Sequence, residues 1–237
     1  MLHMRMFDAR LSAGCVVFAH VFRSFLFIFV SFLFGTLRGQ SASDTALVRI
    51  LTDRSAKIVS GLGLRDTERE GAVTRILVAQ YLSVNEIHAR YKPAPKQQGL
   101  DSVSRVAWEA DRQRMTEQKV GELQALHGSF LGTLDNHLDA SGIDAVKDAM
   151  TYRVMPITYA AYLDMLPGLT AAQCERIMDW LREARELAMD EGSSNAKHAV
   201  FGKYKGRINN YLSAQGFDLK KETEAWQQRI KHRNVTK

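Results

Sequence analysis

From Leu47 to Ile230 apolar residues return every three or four positions, the spacing that gathers side chains onto one face of an α-helix. The first set, Leu47, Ile50, Leu51, Ile58, Val59 and Leu62, stops at Gly61 and Gly63, and glycine is the usual residue for closing a helix. A second runs from about Thr67, behind the capping candidate Asp66, through Val73, Ile76, Leu77, Tyr81, Val84 and Ile87 to Tyr91. Pro93 and Pro95 end it, because proline has no N–H to continue the ladder. Residues 92–102 are polar and carry Gly99, which predicts a loop. Beyond it, Val103 to Leu138 predicts a long charged helix whose best apolar face is Val120, Leu123, Leu126, Phe130, Leu131 and Leu134.

Shorter elements follow. The pattern predicts a helix from Ile143 to about Tyr152 entered from Ser141, a break at Met155 and Pro156, and a helix from Thr158 to Leu166 closed by Pro167 and Gly168. Thr170 and Gln173 fit a capping box, in which hydroxyl and amide satisfy backbone groups that the first turn leaves unpaired. The helix it opens is expected to bury Ile177, Trp180, Leu181, Ala184, Leu187 and Ala188 and to stop at Gly192. The next starts near Ser194 and ends at Gly216, with Val200, Phe201, Tyr204, Ile208, Tyr211 and Leu212 along its apolar stripe. A last charged helix carries Leu219 to Ile230 with Trp226. No stretch alternates with period two, so the fold class is all-α: one multi-helix, bundle-like domain over residues 43–237.

The first forty residues have a different composition. Arg5, Arg10 and Arg23 precede the run Phe25 to Phe34, and a small, polar stretch follows it to Ala42. That order is the pattern of a secretory signal peptide over residues 1–42. The run is far shorter than the roughly twenty residues a spanning helix requires, so no stable membrane anchor is expected. The predicted compartment is periplasmic or extracellular.

The leader changes how charge is read. Of the formal net charge of +6, half belongs to Arg5, Arg10, Arg23 and Arg38 against Asp8. From Asn195 onward ten Lys or Arg face three Asp or Glu, so the basic character is concentrated near the C-terminus. A locally basic, mildly charged exported chain argues against a nucleic-acid partner. Cys15 falls in the leader and Cys174 stands alone, so the domain rests on its core and not on a disulfide. Metal-ligand spacings and glycine-rich phosphate loops are absent, and no metal or cofactor is expected.

The densest candidate chemistry lies between Gly192 and Leu212. Lys203, Arg207 and Asn210 fall on one flank of its apolar stripe and His198, Lys205 and Asn209 on the other, with Tyr204 and Tyr211 between. Tyrosine faces suit pyranose rings, amides pair with vicinal hydroxyls, and cations neutralise uronate or sulfate. Tyr152, Tyr159, Tyr162 and Trp180 flank the Pro156 break and offer one wall of a cleft. Arg185 and Glu186, with Asp148 and His198, are the groups available for acid and base work.

Several phrases carry a resemblance: Pro156 to Leu163, Met165 to Thr170, Trp180 to Glu186, Ala188 to Ser194, and Phe201 to Leu212. They resemble the family catalogued as domain of unknown function 3826, over about Asp44 to Lys221 and most specifically over residues 141–216. The resemblance implies export and a carbohydrate context, and it brings no catalytic residues with it. The expected function is binding of an acidic, uronate-containing saccharide in a helix-lined cleft. The alternatives are a lyase or hydrolase acting on such sugars, and a periplasmic helical chaperone, since Leu169 to Gln173 is similar to the LTxxQ element of small stress proteins.

Overall fold

Asp66, Asp101, Asp139, Thr170 and Ser193 each hold an extended backbone just ahead of a helix and accept a hydrogen bond from a first-turn N–H. In the computed structural model, which describes residues 42–93, 95, 99 and 101–235, these caps start five of the eight helices. The helices are α1 (Ala42–Ser60), α2 (Thr67–Arg90), α3 (Ser102–Asp135), α4 (Ala140–Met150), α5 (Val154–Met165), α6 (Ala171–Met189), α7 (Ser194–Ala214) and α8 (Leu219–Val235). There is no strand among the described residues, and the all-α class stands. The leader read at residues 1–42 lies outside the described residues except for Ala42. No described helix is long and apolar enough to cross a membrane.

Residues 46–237 form one compact unit built on two apolar clusters. The first joins Leu51 and Val59 of α1, Val73, Leu77 and Tyr81 of α2, Phe130 and Leu134 of α3, and Val146 and Met150 of α4. The second joins Tyr162 of α5, Ile177, Leu181 and Ala184 of α6, and Phe201, Ile208 and Leu212 of α7. Burying a side chain of this size contributes roughly 1.5–3 kcal/mol. Helix α6 belongs to both clusters, because Met189 near its end packs in the first. Packed pairs are α2 with α3, α6 with α7, α5 with α6 and α8, and α4 with α3, α5 and α6.

Several boundaries differ from those the pattern predicts. Helix α4 begins at Ala140 behind Asp139, whose carboxylate accepts from the Gly142 N–H at 2.8 Å and also takes the Ser141 hydroxyl. A carboxylate outcompetes the neighbouring serine for the capping role. Pro156 makes no break, since it is the third residue of α5, where its missing N–H has no intrahelical acceptor to lose. The actual break falls earlier, at Tyr152 and Arg153. Leu187 is 51% exposed instead of buried, because the inward face of α6 turns through Ala184 and Ala188. The capping box is as predicted: Thr170 Oγ1 accepts from Gln173 N–H, and Gln173 accepts from Thr170 N–H at 2.9 Å.

Candidate functional site

The site starts from the way α4 stops. No glycine or asparagine lies between Ile143 and Pro167, yet the chain must reverse there. Tyr152 and Arg153 make the reversal with φ of 58° and 55°, and the Arg153 N–H closes back onto the Asp148 carbonyl at 2.7 Å. Two successive non-glycine residues in the left-handed region cost about 1–2 kcal/mol each. The buried Thr151 holds the turn by donating its hydroxyl to the Lys147 carbonyl at 2.8 Å. Backbone strain of this kind concentrates where a side chain must point somewhere specific.

Here it points at a cavity. Tyr152 and Arg153 line a space of about 890 Å³ together with Arg54 and Lys57 from α1, Tyr81 from α2 and Asp148 from α4. Ile58, Leu62 and Met150 add apolar surface. The volume and the mixture of aromatic, apolar and a few charged groups are those of a small-molecule site.

The electrostatics are one-sided. Asp148 is the one acidic residue of the lining, and it accepts from Arg185 Nη1 at 2.8 Å. Arg185 is only 5% exposed and gives its other terminal nitrogen to Asp144 at 2.7 Å. Burial works against its charge, but the two carboxylates outweigh burial and leave its pKa above the ordinary value. The Asp148 charge is therefore met from behind, inside the protein. Arg54, Lys57 and Arg153 form no ion pair with a carboxylate among the described residues. Arg54 lies 5.7 Å from the centroid of Tyr81, whose hydroxyl burial pushes up to about 12. Tyr152 stacks on His198 with centroids 5.4 Å apart and planes 14° apart, which fixes the ring at the cavity edge.

Behind Arg185 a polar seam fastens the helices around the end of α6. Glu186 accepts from Lys147 Nζ at 2.9 Å and from His127 Nε2 at 3.2 Å. The other nitrogen of His127 reaches Asp190 at 3.0 Å. Bonding to Asp190 and then Glu186, against the pull of burial, raises His127 to about 9. Burial would raise Glu186, yet His127 and Lys147 hold it at about 2. His88 donates Nε2–H to the Asp190 carbonyl at 2.7 Å. Lys197, 4% exposed, donates to the Ala188 and Met189 carbonyls, and burial lowers it to about 8. A Cβ on Gly192 would meet the His88 ring at 3.0 Å, so any larger residue there requires the ring to give by a few tenths of an ångström.

The residues singled out in the sequence are spread over several places. Trp180, Tyr204, Arg207 and Tyr211 meet on the α6–α7 surface. Arg207 lies 4.6 Å over the Trp180 ring, Tyr211 meets the ring edge-on at 5.3 Å, and Arg207 pairs with Glu183 at 3.6 Å. Burial, helped by a hydrogen bond to Glu183, raises Tyr204 to about 12. Tyr162 is buried and donates to Asn209 at 2.7 Å, tying α5 to α7, while Tyr159 packs on the second cluster. Arg185 and Glu186 belong to the seam. His198 borders the cavity through Tyr152, whereas Lys203, Lys205 and Asn210 are exposed on α7. Asp148 and Tyr152, also singled out in the sequence, line the cavity itself, and His198 stacks on the Tyr152 ring.

Sequence reasoning missed Arg54, Lys57, Tyr81 and Arg153, as well as His88, His127, Lys147 and Asp190. For Arg153 a signal existed: a forced reversal with no glycine to make it. For the seam none did, because its members are scattered over α2, α3, α4, α6 and the residue after it. Among the described residues no group of three His, Cys, Asp or Glu is placed to hold a metal ion.

The fold and site thus define an all-helical protein with a cation-lined cavity set beside a strained turn. The chain belongs to the family described as Protein of unknown function (DUF3826), whose model matches residues 48–232. The cavity, the turn and the polar seam all lie within that match. No curated protein matches the chain.

Proposed function

We propose that this is an exported carbohydrate-associated protein that binds acidic saccharides in the cavity between α1, α2 and the α4–α5 turn. The observation that carries this is the charge of the lining: Arg54, Lys57 and Arg153 have no carboxylate partner among the described residues, and Asp148 is engaged by the buried Arg185. Such a wall attracts carboxylate or sulfate, and the Tyr152 face beside it suits a sugar ring. Export rests on the leader pattern of residues 1–42.

The α6–α7 surface suits the role less well. Arg207 covers the Trp180 face on which a sugar would stack, and Glu183 takes part of the arginine's charge. Binding is also favoured over glycoside hydrolysis. That reaction requires two carboxyl groups flanking the bond, and the cavity offers one, already engaged by Arg185.

Calorimetric titration with a panel of uronate-containing oligosaccharides tests the proposal. Binding to at least one member, weakened tenfold or more by Arg153→Ala and unchanged by Arg207→Ala, is expected, since a charge-assisted hydrogen bond is worth roughly 1.5–3 kcal/mol. Absence of binding across the panel, or loss with Arg207→Ala alone, overturns it.

A further inference from the structure

The cations of the cavity come from two separate elements. Arg54 and Lys57, three apart on α1, share one helical face, and both line the cavity. Arg153 stands on the strained turn after α4, held by its bond to the Asp148 carbonyl. Tyr81 and Tyr152 line the same space. A ligand with a single anionic group answers one of these poles and leaves the other, exposed at the cavity, without a carboxylate partner.

We infer that the ligand carries at least two anionic groups on a ring scaffold, one held by the Arg54 and Lys57 pair of α1 and the other by Arg153, as in a diuronate. This rests on the acidic-saccharide proposal and narrows it from a charge preference to a required number of charges. Binding then bridges α1 to the α4–α5 turn, with the Tyr152 ring, braced by His198, against the sugar between the poles. Arg185 is a positioning residue in this scheme: it engages Asp148, the one carboxylate of the lining, and so weakens its competition for either pole.

Titration of the full-length protein with galacturonate, digalacturonate and the dimethyl ester of digalacturonate decides the matter. Digalacturonate is expected to bind about tenfold or more tightly than galacturonate, the gain of one further charge-assisted contact, and the neutral ester not measurably. Arg153→Met and the double variant Arg54→Met, Lys57→Met are each expected to bring digalacturonate down to the affinity of galacturonate, with unchanged circular dichroism and melting. Equal binding of galacturonate and digalacturonate sinks the two-pole inference while leaving acidic-saccharide binding intact. Ester binding as tight as that of the diacid, or no binding by any of the three, removes both.

Discussion

The α6–α7 surface and the cavity of the α1–α4 half hold similar side chains in opposite states. On the surface, Arg207 and Tyr204 are spent on Trp180 and Glu183, and Asn209 is spent on Tyr162. In the cavity, Arg54, Lys57 and Arg153 have no carboxylate partner among the described residues, although Arg54 lies over Tyr81, while the one carboxylate of the lining is engaged by a buried arginine. Residue type is therefore a poor guide to a site. What distinguishes the two regions is whether a carboxylate of the protein has already answered the cations.

Substitutions that separate the regions are expected to differ in size and in sign. The largest effect belongs to the second cluster, which carries stability and no ligand. Phe201→Ala, at a fully buried position, is expected to lose about 3–5 kcal/mol in denaturant unfolding, with saccharide affinity retained in whatever fraction stays folded.

The polar seam comes next, through pH. His127 is raised to about 9 in the folded protein, so its contribution is fully present below the ordinary histidine value near 6.5 and is lost as pH climbs through 9. Glu186 is held at about 2, so its contribution is present above the ordinary carboxylate range and is lost as pH falls toward 2. The two share one contact and must not be counted twice. From these two groups stability is greatest between about pH 5 and 6.5; Lys197, lowered to about 8, works the other way at higher pH, and His127→Gln is expected to flatten the loss on the alkaline side by an amount on the order of 2–3 kcal/mol. Melting temperatures taken across pH 5 to 10 check this, and an unchanged alkaline limb in the variant contradicts it.

A smaller effect has the opposite sign. Arg153→Gly relieves one left-handed non-glycine residue and is expected to stabilise the fold by about 1 kcal/mol while removing a cationic pole. A variant that melts lower would mean that Arg153 makes a contact worth more than its strain. Smallest of all is Arg207→Ala. Its pair with Glu183 is more than half exposed on both sides, so stability is expected to move by no more than about 0.5 kcal/mol, with no change in ligand affinity.

How far these regions were legible beforehand depends on the kind of signal each left. Helix periodicity and caps are local, so Asp66, the Thr170–Gln173 box and the stripe of α7 were readable, and with them the all-α class. Pro156 misled because a proline in the first turn and a proline at a break look alike in sequence. The aromatic and cationic density of residues 197–211 drew attention to α7, yet whether Tyr162 binds Asn209 or Arg207 covers Trp180 depends on contacts between helices far apart in the chain. The cavity was hardest to see, because Arg54, Lys57 and Arg153 lie on elements almost a hundred residues apart, and nothing in their neighbours announces that they meet.

The most direct test is a thermal melt of wild type and Arg153→Gly, each with and without saturating digalacturonate. The expected pattern is a wild type that gains stability with the sugar, against a variant that melts higher alone and gains clearly less from it. If the variant is stabilised by digalacturonate as much as the wild type is, Arg153 and its strained turn do not serve the ligand, and the cavity is not the site.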